Sequence, residues 1–235
     1  MKAKKTIKRI VVIILILLSL CMIWSAAINI KRIIDLSINI DRENLLEYVI
    51  FDGEISDWQK NQIENMLEKV DSESLNYIVN SGGKIIVTYN KQMDVRKYLD
   101  QHYGYDLMKT TFTKIQGVTI PYRDIFGNLY KVDVVIACGD IAIGELIHEF
   151  GHVYDITHGN VSKKPEFQEI YNNRENINNT VLYQVHMYID YYSSNKQEYF
   201  AELYKQYLRG KFETGKKSEE KEYLIEYFDG LSLQR

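Results

Sequence analysis

Cysteine, proline and tryptophan are scarce in this chain of 235 residues, which contains two of each. The two cysteines cannot build a disulfide framework, because Cys21 lies in an apolar N-terminal run and Cys138 ends a predicted strand. The scarcity of proline, together with 46% hydrophobic residues, excludes a proline-rich or disordered chain. A net charge of −3 makes nucleic acid a poor candidate partner. The composition is that of a globular protein with one or two domains.

The N-terminus has the charge and hydropathy pattern of an export segment. An uncharged apolar run at residues 10–28 is long enough to span a bilayer as a helix. It follows a basic flank, which is expected to stay in the cytoplasm. Ser25-Ala26-Ala27 is typical of a signal-peptidase site, whereas Lys31-Arg32 after the run fit an uncleaved anchor. Residues 1–28 are therefore a signal peptide or a transmembrane anchor. Both alternatives predict an extracytoplasmic bacterial protein, membrane-anchored or secreted.

The rest of the chain predicts a helical stalk at residues 29–47 and one α+β domain at residues 48–235, because short strands come first and helices later. The predicted strands cover residues 48–51, 84–89, 118–122 and 129–137, of which the last two form a hairpin. Ser56 or Asp57 is expected to cap the first predicted helix, which runs through Val70. Further helices are predicted at residues 74–80, 95–103, 144–157, 165–175, 195–208 and 219–228.

Residues 148–152 (His-Glu-Phe-Gly-His) form an H-E-x-x-H motif inside a predicted helix. Residues i and i+4 of a helix lie on one face, so His148 and His152 can bind one Zn²⁺ at about 2.0–2.1 Å. Glu149 is not a ligand in this arrangement. It faces the metal-bound water and can accept its proton. The motif indicates metal-assisted hydrolysis of peptide bonds.

A catalytic zinc site needs a third protein ligand, and the sequence offers two candidates. His158 extends the motif almost to the metzincin signature, but Asp155 replaces the glycine at which that chain turns. A helix that continues here would rotate His158 about 240° away from His152. The alternative is Glu198, which shares one face of a second predicted helix with Glu202. Glu198 would complete a His₂Glu site while Glu202 hydrogen-bonds a ligand histidine.

Asp155 and Met187 also have possible roles in the site. Asp155 either orients a ligand histidine or is a carboxylate on the helix surface. Met187 can be interpreted as the Met-turn of a metzincin-type site.

The paired motifs resemble the anthrax lethal factor catalytic domain and the secreted Pro-Pro endopeptidases. The family has H-E-x-x-H followed by E-[FY]-F-A-E, and here residues 198–202 (Glu-Tyr-Phe-Ala-Glu) follow about 46 residues after the first motif. The resemblance covers roughly residues 48–235 and implies a single zincin-like metalloprotease domain. The implied zinc ligands are His148, His152 and Glu198.

The resemblance also implies the roles of the residues that surround the metal. Glu149 would be the base, and Glu202 would support a ligand histidine. A catalytic tyrosine seven residues before the ligand glutamate falls on Tyr191, with Tyr192 as the adjacent alternative. The segment 103–128 contains no tryptophan, so cleavage between prolines is not carried over.

The sequence therefore predicts a zinc-dependent metalloendopeptidase whose partner is a peptide or protein substrate and, if the leader is uncleaved, the membrane. Strand 129–137 is expected to present an open edge to an extended peptide. One alternative is a metzincin-type protease that uses His158. The other is a non-catalytic, membrane-tethered module, derived from a toxin domain, that binds zinc or a peptide.

Overall fold

A computed structural model describes residues 13–23, 39–89, 95–104, 116–138, 144–182, 189–214 and 217–232. The chain forms two compact units, Met1–Asn39 and Ile40–Arg235. In the first unit, residues 13–23 are helical. Within the described ranges, no helix combines the length and the apolar character needed to cross a membrane. The ends of the predicted apolar run 10–28 lie outside these ranges.

A four-stranded mixed sheet is the framework of the second unit. Its strands are Val49–Asp52 (β1), Ile85–Tyr89 (β2), Gly117–Arg123 (β3) and Leu129–Cys138 (β4). The spatial order is β1-β2-β4-β3, with β3 antiparallel to β4 and the other neighbours parallel. The predicted hairpin is therefore confirmed, but the prediction of an open edge on residues 129–137 is wrong. Residues 132–138 are all buried, which is typical of a central strand covered on both faces, and β3 takes the edge.

The described helices of the second unit agree with the prediction in most places. They are Asp57–Leu67 (α1), Ser72–Asn80 (α2), Arg96–Tyr103 (α3), Glu145–Thr157 (α4), Pro165–Asn172 (α5), Arg174–Thr180 (α6), Ile189–Tyr192 (α7), Lys196–Leu208 (α8) and Glu219–Ser232 (α9). The predicted helix 165–175 is two helices that meet at Asn173. The last helix continues through Gly230 instead of ending there, and α7 was not predicted.

The described end of the predicted stalk packs as part of the domain. Residues 39–44 are not helical, and Leu45–Tyr48 form one 3-10 turn. The Leu45 side chain is buried in the main core, and the Ile40 amide donates to Asn76 Oδ1 at 2.9 Å. These contacts hold the segment against the domain. The described end of the predicted stalk is therefore not a free helix.

Residues of β4 alternate between two cores because successive side chains of a strand point to opposite faces. Val134 and Ile136 belong to the large core, which also contains buried residues of α4 and α8. Val135 and Ala137 belong to a smaller core with Leu99 of α3. Helices α4 and α8 therefore lie on the large-core side of the sheet, and they carry the candidate site.

Candidate metal centre

Helices α4 and α8 approach each other closely at Gly151 and Ala201. A Cβ atom built on Gly151 would lie 2.6 Å from Ala201 Cα, which is closer than real Cβ atoms come to backbone, and 3.0 Å from the Ala201 carbonyl oxygen. Gly151 is the fourth residue of the first motif, and Ala201 is the fourth residue of the second. The absent side chain lets α8 come near enough to place Glu198 beside the two histidines.

His148, His152 and Glu198 form a group that could hold a metal ion, with one potential ligand atom from each residue and all three atoms within 4.8 Å of one another. His148 Nε2 lies 3.2 Å from Glu198 Oε2, and His152 Nε2 lies 3.5 Å from Glu198 Oε1. Asn195 caps α8 by accepting from the Glu198 amide at 2.9 Å, which fixes the helix start beside the ligand.

His158 lies away from this group. Helix α4 continues to Thr157, as expected where aspartate replaces the glycine of the metzincin turn. The His158 ring stacks on Tyr154 with centroids 3.9 Å apart, and its Nε2 lies 3.2 Å from Glu73 Oε2. The geometry therefore favours Glu198 over His158 as the third ligand. Met187 lies outside the described residues.

Asp155 has neither of the two positions expected from the sequence. Its side chain is 1% exposed, so it is not a surface carboxylate. Its oxygens accept from the Ser162 amide at 2.6 Å and from the Ser162 hydroxyl at 2.8 Å, so its hydrogen bonds serve the chain after α4 and not a ligand histidine. Burial raises the pKa of Asp155, and the bonds from Ser162 oppose this.

Glu202 is fully buried and contacts the other side of the His148 ring. Its Oε2 lies 3.3 Å from His148 Nδ1, and its Oε1 accepts from Gln206 Nε2 at 2.6 Å. Burial lowers the pKa of His148, but hydrogen bonds to Glu198 and Glu202 outweigh it and raise this pKa to about 10. A metal ion that bound His148 would have to displace this proton, so its affinity would fall as the pH falls.

Glu149 faces strand β3, the edge of the sheet. The Thr119 hydroxyl lies 2.7 Å from Glu149 Oε2. A Cβ atom on Gly117 would lie 2.7 Å from Oε1, so the glycine provides the space that this carboxylate occupies. Burial raises the pKa of Glu149, against the charges of His152 and His148, which lower it. The sequence did not single out Gly117 or Thr119, because their roles arise only when β3 pairs with β4 beside α4.

Tyr191 and Tyr192 of α7 contact different parts of the group. Burial, the charges of Glu198 and Glu149, and a hydrogen bond to Glu198 raise the pKa of Tyr191. The Tyr192 ring lies 5.3 Å from the His148 ring, and it is 7% exposed. The Tyr191 hydroxyl therefore hydrogen-bonds one of the candidate metal ligands.

The fold and this group define a mixed α+β protein with a candidate metal centre on two adjacent helices. Comparison with known protein families gives no match, and comparison with curated proteins gives none either. Among solved structures, the chain is similar to the Pro-Pro endopeptidase PPEP-2 from Paenibacillus alvei, with 19% sequence identity and a TM-score of 0.51. The match covers 80% of this chain and 98% of that chain. At this identity the similarity shows a shared fold, and the likeness to lethal factor stays a prediction.

Proposed function

We propose that the protein is a zinc-dependent metalloendopeptidase with a zincin-like domain, which hydrolyses peptide bonds of an extracytoplasmic protein or peptide. The observation that carries this proposal is the group of His148, His152 and Glu198, with the buried carboxylate of Glu149 beside it. The shared fold with a Pro-Pro endopeptidase supports the same class of reaction.

The three residues fit a zinc ion. Two imidazole nitrogens and one carboxylate oxygen are a ligand set of catalytic zinc sites, which keep a fourth position open. The separations involve different oxygens of Glu198, Oε2 at 3.2 Å from His148 and Oε1 at 3.5 Å from His152, and each is close to the ligand separation of a tetrahedral site. Two ligands with bonds of about 2.1 Å lie roughly 3.4 Å apart in that geometry. A bound zinc ion would polarise the scissile carbonyl and lower the pKa of its water to about 7.

Glu149 is the proposed general base. Its carboxylate would take the proton of the attacking water and later deliver it to the leaving amine. The Thr119 hydroxyl donates a hydrogen bond to Oε2 at 2.7 Å. Proton transfer is therefore assigned to Oε1, the oxygen beside Gly117. The pKa of this carboxyl is raised by burial, which makes it a stronger base than a solvated glutamate.

Strand β3 is the proposed substrate edge. It is the outer strand of the sheet next to β4, and its Gly117 and Thr119 contact Glu149. An extended peptide that pairs with β3 as a further strand would therefore run past the proposed base. Pairing through backbone hydrogen bonds does not depend on side chains, so the proposal specifies a peptide and leaves the sequence at the cleavage site open.

The N-terminal sequence supports a location outside the cytoplasm. Basic residues precede the apolar run 10–28, which is the pattern of a secreted or membrane-anchored protein. Fractionation of producing cells should recover the protein in the membrane if the segment is an anchor, or in the medium if it is cleaved. Recovery in the cytoplasm would contradict this part of the proposal.

The full chain, purified in detergent, is expected to bind about one zinc ion per molecule and to cleave members of a peptide library. Elemental analysis after gel filtration measures the metal, and mass spectrometry measures the products. A chelator should stop cleavage, and added zinc should restore it. Less than about a tenth of an equivalent of zinc would contradict the metal centre. Full zinc with no product would favour the non-catalytic binding module.

Tyr191 is the proposed donor to the oxyanion that forms during hydrolysis, and Tyr192 offers a matched control. We expect Tyr191→Phe to retain zinc and to lower kcat by about 10²–10³, the usual effect of removing one such donor. Tyr192→Phe should keep kcat within about tenfold of the parent. Steady-state kinetics of both variants decide between them, and the opposite order would identify Tyr192 as the catalytic tyrosine.

A further inference from the structure

Lys205 is a buried lysine that joins the two helices of the candidate metal centre. Lys205 belongs to α8, and the residue is 4% exposed. Its Nζ lies 3.0 Å from Glu145 Oε1, in the first turn of α4, and 2.7 Å from Glu202 Oε2. Burial of an ammonium group is unfavourable unless it is paired, so both carboxylates are needed to keep it there.

The contacts of Lys205 continue to a candidate ligand. Glu202 Oε2 lies 2.7 Å from Lys205 Nζ and 3.3 Å from His148 Nδ1. The other ring nitrogen of His148, Nε2, faces Glu198. Lys205 is therefore one carboxylate away from the imidazole, on the side opposite to the proposed metal.

Tyr192 packs against the same two residues. Its ring centroid is 5.3 Å from Lys205 Nζ and 5.3 Å from the His148 ring centroid. The lysine thus lies in a packed layer between α4 and α8. If Lys205 lost its charge, Glu145 and Glu202 would share this layer as like charges, and Glu202 would have one donor fewer to fix its position.

We propose that Lys205 is a positioning residue of the metal centre. It fixes the Glu202 carboxylate against α4, and Glu202 in turn holds the His148 ring in the orientation that presents Nε2 to the metal. The inference rests on the proposed function, and it assigns Lys205 no contact with metal or substrate. Partners that orient a ligand histidine typically change metal affinity by about 10–100-fold, and we place Lys205 at about tenfold because it acts through Glu202.

The test is the zinc dissociation constant of the full chain, measured by competition with a chromogenic chelator. Lys205→Met should weaken zinc binding about tenfold, whereas Lys205→Arg, which keeps the charge, should stay within about threefold of the parent. Lys60→Met is the matched control, since Lys60 is partly exposed and pairs with Asp57 at 3.8 Å on α1. It should leave affinity unchanged. Thermal unfolding of each variant checks that the fold is retained.

Glu145→Gln tests the same link from α4 and remains informative if Lys205→Met does not fold. It removes one of the two carboxylates that hold the lysine, so zinc binding should weaken by about threefold. In a chain that carries both changes, the loss should be no greater than that of Lys205→Met alone, because Glu145 acts through Lys205. Unchanged affinity in Glu145→Gln, or fully additive losses, would overturn the proposal.

Kinetics at saturating zinc separate a role in metal binding from a general structural role. Lys205→Met should then recover kcat to within about threefold of the parent, because the zinc-loaded centre is the same. A loss of kcat that excess zinc does not restore would overturn the positioning role. If Lys205→Met binds zinc as tightly as the parent does, this inference alone is overturned. A parent that binds no zinc overturns it together with the proposed function.

Discussion

Replacement of Glu149 by glutamine is expected to abolish peptide hydrolysis and to leave the metal in place. Glutamine keeps the shape of the side chain and a partner for the Thr119 hydroxyl, but it cannot accept the proton of the attacking water. Since both proton transfers are assigned to this one carboxylate, kcat/KM should fall by about 10³-fold or more. Zinc content by elemental analysis and kcat/KM on a library-derived peptide are measured on the same preparation.

Glu73→Gln is the control for this result, because it makes the same chemical change at an exposed carboxylate that contacts His158 and not the metal group. It should retain the activity of the parent. The assignment of Glu149 as the base is wrong if Glu149→Gln cleaves within about tenfold of the parent rate.

Removal of Glu198 should abolish zinc retention, whereas removal of His158 should not. Glu198 supplies the oxygen of the three-residue group, and Glu198→Ala leaves two imidazoles, which are too few for a catalytic zinc site. His158→Ala removes a ring that stacks on Tyr154 and contacts Glu73, so its effect is confined to that end of α4.

Metal content after gel filtration of the two variants decides between the ligands. Glu198→Ala should retain less than about a tenth of an equivalent, and His158→Ala should retain nearly one. The reverse result would establish a metzincin-type site and would require α4 to end at Asp155.

Features that depend on local sequence were predictable. Residues of one helix keep a fixed spacing, so the position of His148 and His152 on one face of α4 followed from the motif. Helix starts were equally local, since Ser56 and Asn195 both cap their helices through their own side chains. The mixed α+β architecture also followed from the order of strands and helices.

Other features that depend on contacts between distant segments were not predicted. Lys205 joins Glu145 of another helix, and Thr119 approaches Glu149 from a strand, so no local pattern marks either residue. Gly230 was wrongly read as a helix end, although α9 continues and the Leu231 carbonyl accepts from the Tyr154 hydroxyl at 3.1 Å. Here tertiary packing outweighs the low helix propensity of glycine.

The order of the strands is an intermediate case, because the sequence contained the signal. Residues 132–138 are an almost unbroken apolar run, and such a run is typical of a strand covered on both faces. Its interpretation as an open edge did not take this run into account. The strand that does form this edge, β3, has a mixed burial pattern, in which buried, partly buried and exposed residues occur along one strand.

The contact between Gly151 and Ala201 has a consequence for the transfer of this centre to another protein. Packed helices usually keep their axes about 8–10 Å apart, with larger side chains at the contact giving the larger spacing. An engineer who moved only the two histidines and the two glutamates onto a new helix pair would leave that spacing to chance. The two small residues, of which Gly151 occupies a variable position of H-E-x-x-H, set the distance between the two helices and would have to be transferred together with the ligands.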